Sequence, residues 1–126
     1  MDYRTPISRV RGLGSAKSGT GHWWMQRVTA VALIPLSFWL IYFLGLSLTA
    51  PYPQTLAWLA APLNTVCIVA WIVAAFYHAA LGLQVVIEDY VAAEAPKIIS
   101  IWVVNLAFLF LAIAALLAVF RVVSIG

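Results

Sequence analysis

Three long apolar runs dominate the chain, each exceeding the ~20 residues a helix needs to cross the hydrocarbon core of a bilayer. They predict spans over residues 27–49, 62–87 and 97–123. Trp23 and Trp24 stand just ahead of the first run, where an interfacial aromatic belt would lie. Pro35 falls inside that run, which a membrane helix tolerates when neighbours satisfy the freed carbonyl. Residues 50–61 contain Pro51 and Pro53, carry no charge and read as a loop. Pro62 then suits the first turn of the second span. Residues 88–97, with Glu88, Asp89, Glu94 and Lys97, read as a hydrated loop, and Pro96 opens the third span. Residues 1–22 are polar and basic, and Gly12, Gly14, Gly19 and Gly21 argue against a stable helix there. The expected fold class is all-α: an integral membrane protein with three transmembrane helices, forming one domain over residues 1–126 behind a basic arm.

Composition points the same way. Of 126 residues, 65% are hydrophobic and 9% charged, against roughly 45–50% and about 25% in soluble domains. A domain this small leaves much of its surface exposed, so the solvent for most of the chain is lipid. The first apolar run is too long for a signal-peptide core and ends without a clear cleavage site, so it reads as retained. The single cysteine, Cys67, excludes a disulfide framework within the chain and reads as a small packing residue.

The net charge is +3, and its placement matters more than its size. Arg4, Arg9, Arg11, Lys17 and Arg27 lie before or at the start of the first run, and only Lys97 and Arg121 follow it. Beside a membrane span such a basic stretch reads as cytoplasmic retention rather than nucleic-acid binding. The expected topology has a cytoplasmic N-terminus, the proline segment outside, the acidic segment inside and Arg121 near a periplasmic C-terminus.

His78 is the one histidine inside a span, and an ionisable residue there marks a candidate functional site. It lies eleven positions before Asp89, which is ~16 Å along a helix and about 20° from a whole number of turns. One face of the second span therefore carries His78 at mid-membrane and Asp89 at its cytoplasmic end, with Tyr90 next in sequence. Gly82, one turn from His78, leaves room for a bulky flat group or for a close helix neighbour. Three roles fit His78: ligating a metal or haem iron, relaying protons, or hydrogen-bonding a neighbouring helix. His22 is the only other histidine and sits at the cytoplasmic edge, so a second axial ligand would have to come from another subunit. Tyr90 fits either an interfacial anchor or a donor to a quinone carbonyl, with Asp89 placed to handle protons or hold a partner arginine. Arg27 either reaches the lipid headgroups or faces inward to a haem propionate, where His22 could assist.

At these residues the chain resembles a known family, the smaller hydrophobic membrane-anchor subunit (the D-type, cytochrome b subunit) of succinate dehydrogenase, or respiratory complex II. The resemblance rests on His78 with Asp89-Tyr90 closing the second span, on the stretch from Gly19 through His22-Trp23-Trp24-Met25-Gln26-Arg27 to Ala30, and on the three-span size. It covers nearly the whole chain. It implies a bacterial inner-membrane, multi-pass subunit that is not an enzyme on its own and docks the flavoprotein and iron–sulfur subunits beside a larger cytochrome b anchor. It further implies haem b shared with that larger anchor, with His78 as one axial ligand and Arg27, Gly82 and His22 around the haem. Ubiquinone would be the substrate at Tyr90 and Asp89. Flavin and iron–sulfur chemistry belong to the partners, since one cysteine cannot hold a cluster. Two alternatives stand beside this reading: an anchor of a fumarate reductase or other quinone-linked dehydrogenase, and a small non-redox membrane protein in which His78 and Asp89 are ordinary polar contacts.

Overall fold

The computed structural model describes residues 16–125, and every element among them is helical. Helix α1 runs Ala16–Thr49 and continues through Pro35. Helix α2 is the short Tyr52–Ala60. Helices α3, Pro62–Tyr90, and α4, Glu94–Ile125, complete the chain. Three of the four are long and apolar enough to cross a membrane: Thr20–Thr49 within α1, then α3 and α4. At 29 residues α3 extends ~44 Å, beyond the ~30 Å hydrocarbon core, so its ends reach the headgroup region.

The three predicted spans are present, with different ends. Helix α1 begins at Ala16 and includes Gly19 and Gly21, so the expected glycine-broken arm is helical from Ala16 onward. The reason is one of magnitude: a glycine costs a helix about 1 kcal/mol, and extending a long helix already formed adds a hydrogen bond per residue without a new nucleation cost. Arg4, Arg9, Arg11, Gly12 and Gly14 lie outside the described residues. The expected loop over 50–61 is mostly α2, which prolines open from Pro51 onward. The expected acidic loop shrinks to residues 91–93, because Glu88, Asp89 and Tyr90 form the last turn of α3 and Glu94 starts α4. Glu94 in that first turn suits the positive end of the helix dipole.

Helix α3 is central. It packs along α1 on one side and α4 on the other, while α1 and α4 do not approach each other. An open row of this kind encloses little. Among the described residues only Phe43, Ile72, Leu81 and Thr29 are buried, and large apolar side chains such as Phe38, Leu48 and Phe110 face outward. Lipid removes the hydrophobic drive between helices, so packing and interhelical hydrogen bonds decide the assembly. Trp71 Nε1 donates to Ser37 Oγ at 3.1 Å, and Trp39 Nε1 donates to Asn64 Oδ1 at 3.2 Å. Asn64 Nδ2 in turn donates to the Trp58 carbonyl at 2.8 Å. Helix α2 is held by this network and by the stacking of Trp58 on Phe43, with ring centroids 4.6 Å apart.

Candidate functional site

His78 lies near the middle of α3, where the helix faces α1. Its Nδ1 is 2.9 Å from Thr29 Oγ1 of α1, and its Nε2 has no hydrogen-bond partner among the described residues. Thr29 is 6% exposed and is the only buried polar residue among those described. Its hydroxyl also lies 2.7 Å from the Met25 carbonyl and 3.2 Å from that of Gln26. A threonine on an apolar helix commonly bonds back to the carbonyl four residues earlier. Here the same oxygen also reaches across to the neighbouring helix.

Antiparallel packing places the residues on either side of this pair at matching depths. Toward the Tyr90 end of α3, Gly82 lies against Gln26: a Cβ at Gly82 would meet Gln26 Nε2 at 3.8 Å. A close helix neighbour, the Gln26 side chain, thus fills the space next to Gly82. Gln26 Oε1 is buried and has no partner among the described residues. Next along the seam, Gln84 Nε2 is 3.4 Å from His22 Nε2 and donates to Glu88 Oε1 at 3.0 Å. His22 is therefore opposite Gln84, six positions past His78, or ~9 Å along the axis. The two histidines are not at one depth.

The structure does not bring the remaining candidates to His78. Arg27 is exposed, and its guanidinium lies over the Trp23 ring with Cζ 5.3 Å from the centroid. It is two positions from Thr29, ~200° around α1, so it leaves the helix on the side away from the seam. Asp89 is exposed, and Tyr90 at 84% exposure is among the least covered side chains. Both occupy the last turn of α3, an acidic helix end that the dipole does not favour. A separate groove of about 470 Å³ runs between α3 and α4. Its walls are mostly apolar, and Tyr77, Gln84, His22 and Asn105 supply polar groups.

Sequence reasoning singled out His78 but gave no role of their own to Thr29 and Gln26, and did not pick out Gln84 or Asn105. The available signal was the placement of each as a polar residue beside or inside an apolar run. Chemically, the seam offers one imidazole with a free ring nitrogen at mid-span, and no carboxylate beside it. No group of three or more His, Cys, Asp or Glu gathers anywhere among the described residues. That donor set does not suit a zinc site, which needs three or four protein ligands, or a calcium site, which needs many oxygens. A metal held here would bring most of its own ligands, as haem iron does.

Comparison with known proteins adds a family. Residues 1–120 match the model of the succinate dehydrogenase/fumarate reductase transmembrane subunit. The chain is 36% identical over 119 residues to the succinate dehydrogenase hydrophobic membrane anchor subunit of Rickettsia bellii, covering 94% of this chain and 95% of that one. It is 30% identical over 92 residues to the succinate dehydrogenase membrane anchor subunit of Reclinomonas americana, covering 71% and 77%. The hydrophobic membrane anchor subunit from Paracoccus denitrificans is 31% identical over 90 residues, covering 71% and 70%. No solved structure matches the chain significantly.

Proposed function

Because this chain belongs to the succinate dehydrogenase/fumarate reductase transmembrane subunit family, we propose that it supplies His78 as one axial ligand of a b-type haem and Asp89 and Tyr90 to a quinone-reducing site. The chain is a multi-pass membrane-anchor subunit of the inner membrane. In the proposed complex it docks a flavoprotein and an iron–sulfur subunit and sits beside a larger cytochrome b anchor. The basic residues before the first span put its N-terminus, and with it the Tyr90 end of α3, on the cytoplasmic side.

The observation that carries the proposal is the state of the His78 ring. One nitrogen is tied to a buried hydroxyl at 2.9 Å and the other is unpartnered among the described residues. This is the arrangement a ligating histidine takes, with its second nitrogen held by an outer partner. A b-type haem bound there would supply one-electron transfer between the iron–sulfur partner and quinone. The chain's own residues do the rest. His78 would hold the iron, and a further histidine would have to come from the larger anchor, since His22 lies at another depth, beside Gln84. Gln26 Oε1, buried without a donor from this chain's described residues, supports a group supplied from outside at the same seam. Leaving such an atom unpaired costs about 1–3 kcal/mol.

Arg27 has an exposed guanidinium with no acidic partner among the described residues, and because it leaves α1 away from the seam its long side chain would have to leave Trp23 and turn back to meet a propionate. His22 is the second candidate near that end. At the cytoplasmic end of α3, Tyr90 donates its phenolic hydrogen to a quinone carbonyl. Asp89, exposed to water, passes a proton toward the reduced oxygen or pairs with a partner arginine. Their exposure in the isolated chain agrees with a site completed by the iron–sulfur subunit. The test is a reduced-minus-oxidised spectrum of the purified complex. A b-type signal that is lost or shifted in His78→Ala supports the ligand assignment, and an unchanged signal or a haem-free wild-type complex refutes it.

A further inference from the structure

The Thr29 hydroxyl has one hydrogen and three neighbours: the Met25 carbonyl at 2.7 Å, the Gln26 carbonyl at 3.2 Å and His78 Nδ1 at 2.9 Å. Two oxygens at 2.7 Å need a hydrogen between them, because that distance is a normal O–H···O bond and a carbonyl has none to give. The hydroxyl hydrogen therefore points at the α1 backbone. Its oxygen is left with lone pairs toward α3, so His78 Nδ1 must carry the hydrogen and donate it. A neutral imidazole has a single N–H. The lone pair then resides on Nε2, the nitrogen without a partner among the described residues.

We infer that Thr29 is a positioning residue for His78: bonded to its own helix backbone, it holds the imidazole in the tautomer whose Nε2 is free to bind iron, and fixes the ring's rotation. The inference rests on the haem-ligand reading above and deepens it. The backbone polarises the hydroxyl, the hydroxyl accepts from Nδ1–H, and Nε2 becomes the stronger donor. Outer partners of ligating histidines act this way. Burial adds to the effect. Thr29 is 6% exposed, so water does not compete for its oxygen, and a dry setting strengthens each bond in the chain. Serine retains the hydroxyl. Valine retains the shape but offers no acceptor.

The experiment compares Thr29→Ser, Thr29→Val and Thr29→Cys in the assembled complex. Haem per complex is measured by pyridine haemochrome, and the low-spin EPR signal of the oxidised haem reports ring orientation. The hydroxyl account predicts full haem and an unaltered signal in Ser. It predicts haem binding weakened about 10–100-fold with a shifted signal in Val, and an intermediate result in Cys, whose sulfur is a weak acceptor. A packing role predicts another order, with Val equal to wild type and Ser impaired; that order, or equal haem and spectra in all variants, overturns the proposal. If the Val complex does not assemble, Ser and Cys decide: normal Ser with impaired Cys supports it, and two normal variants overturn it. An unchanged b-type haem signal in His78→Ala refutes the underlying ligand reading separately, whatever the Thr29 variants do.

Discussion

Gly82→Ala separates two uses of the same space. On one face of α3, Gly82 leaves room either for a flat prosthetic group or for the neighbouring helix. A Cβ built there would meet Gln26 Nε2 at 3.8 Å, which is ordinary van der Waals contact. Alanine therefore fits without moving α1. It also relieves the helix of a glycine, worth ~0.5–1 kcal/mol. The expected result is a complex with unchanged haem content and equal or slightly higher thermal stability. Gly82→Leu is different. Its branched side chain must displace the Gln26 amide or push α1 away from α3, and overpacking of this kind costs ~1–3 kcal/mol. Separating the helices also lengthens the 2.9 Å contact between Thr29 and His78, so haem content should fall with stability. The assay pairs a thermal unfolding scan of the purified complex with haem per complex for both variants. Loss of haem in Gly82→Ala at unchanged stability would refute the reasoning, because a methyl group harmless to Gln26 would then have intruded on the haem itself.

Tyr90→Phe should slow quinone reduction by about tenfold or more, as loss of a hydrogen bond that orients the substrate implies, while succinate oxidation with a soluble artificial acceptor stays intact. Equal loss of both activities, or of neither, would remove Tyr90 from the quinone site. Arg27→Leu should lower the haem midpoint potential in a redox titration, since removing a cation near the haem favours the oxidised form, and Arg27→Lys should recover part of the shift. An unchanged potential in Arg27→Leu would return Arg27 to the headgroup role suggested by its packing on Trp23.

The three spans were legible because ~20-residue apolar runs have few outcomes other than crossing a bilayer. Their ends were not. Local residue preference argues for a glycine-broken arm, yet α1 begins at Ala16, because extending a formed helix adds hydrogen bonds that offset the glycine cost. Helix α2 was hidden for a related reason. It has nine residues and opens with prolines, and its stability comes from Trp58 stacking on Phe43 and from Asn64, contacts that join distant parts of the sequence. His78 was legible as the one histidine inside a span. Thr29 was not, because a threonine in an apolar run is unremarkable until α1 is laid antiparallel on α3. Gln26 and Gln84 gain meaning the same way, through matching depths along one seam. Asp89 and Tyr90 are exposed at the end of α3, and the proposed quinone site would need residues of other subunits to complete it.

His78 is the residue on which haem binding turns in the proposed function, and the sharpest test contrasts it with the other histidine. Reduced-minus-oxidised spectra of the complex carrying His78→Ala and of that carrying His22→Ala, at matched protein, compare the two directly. The expected outcome is a b-type signal lost or shifted in the first and retained in the second, because His22 pairs with Gln84 at another depth. A signal that survives His78→Ala and disappears with His22→Ala would contradict the central claim.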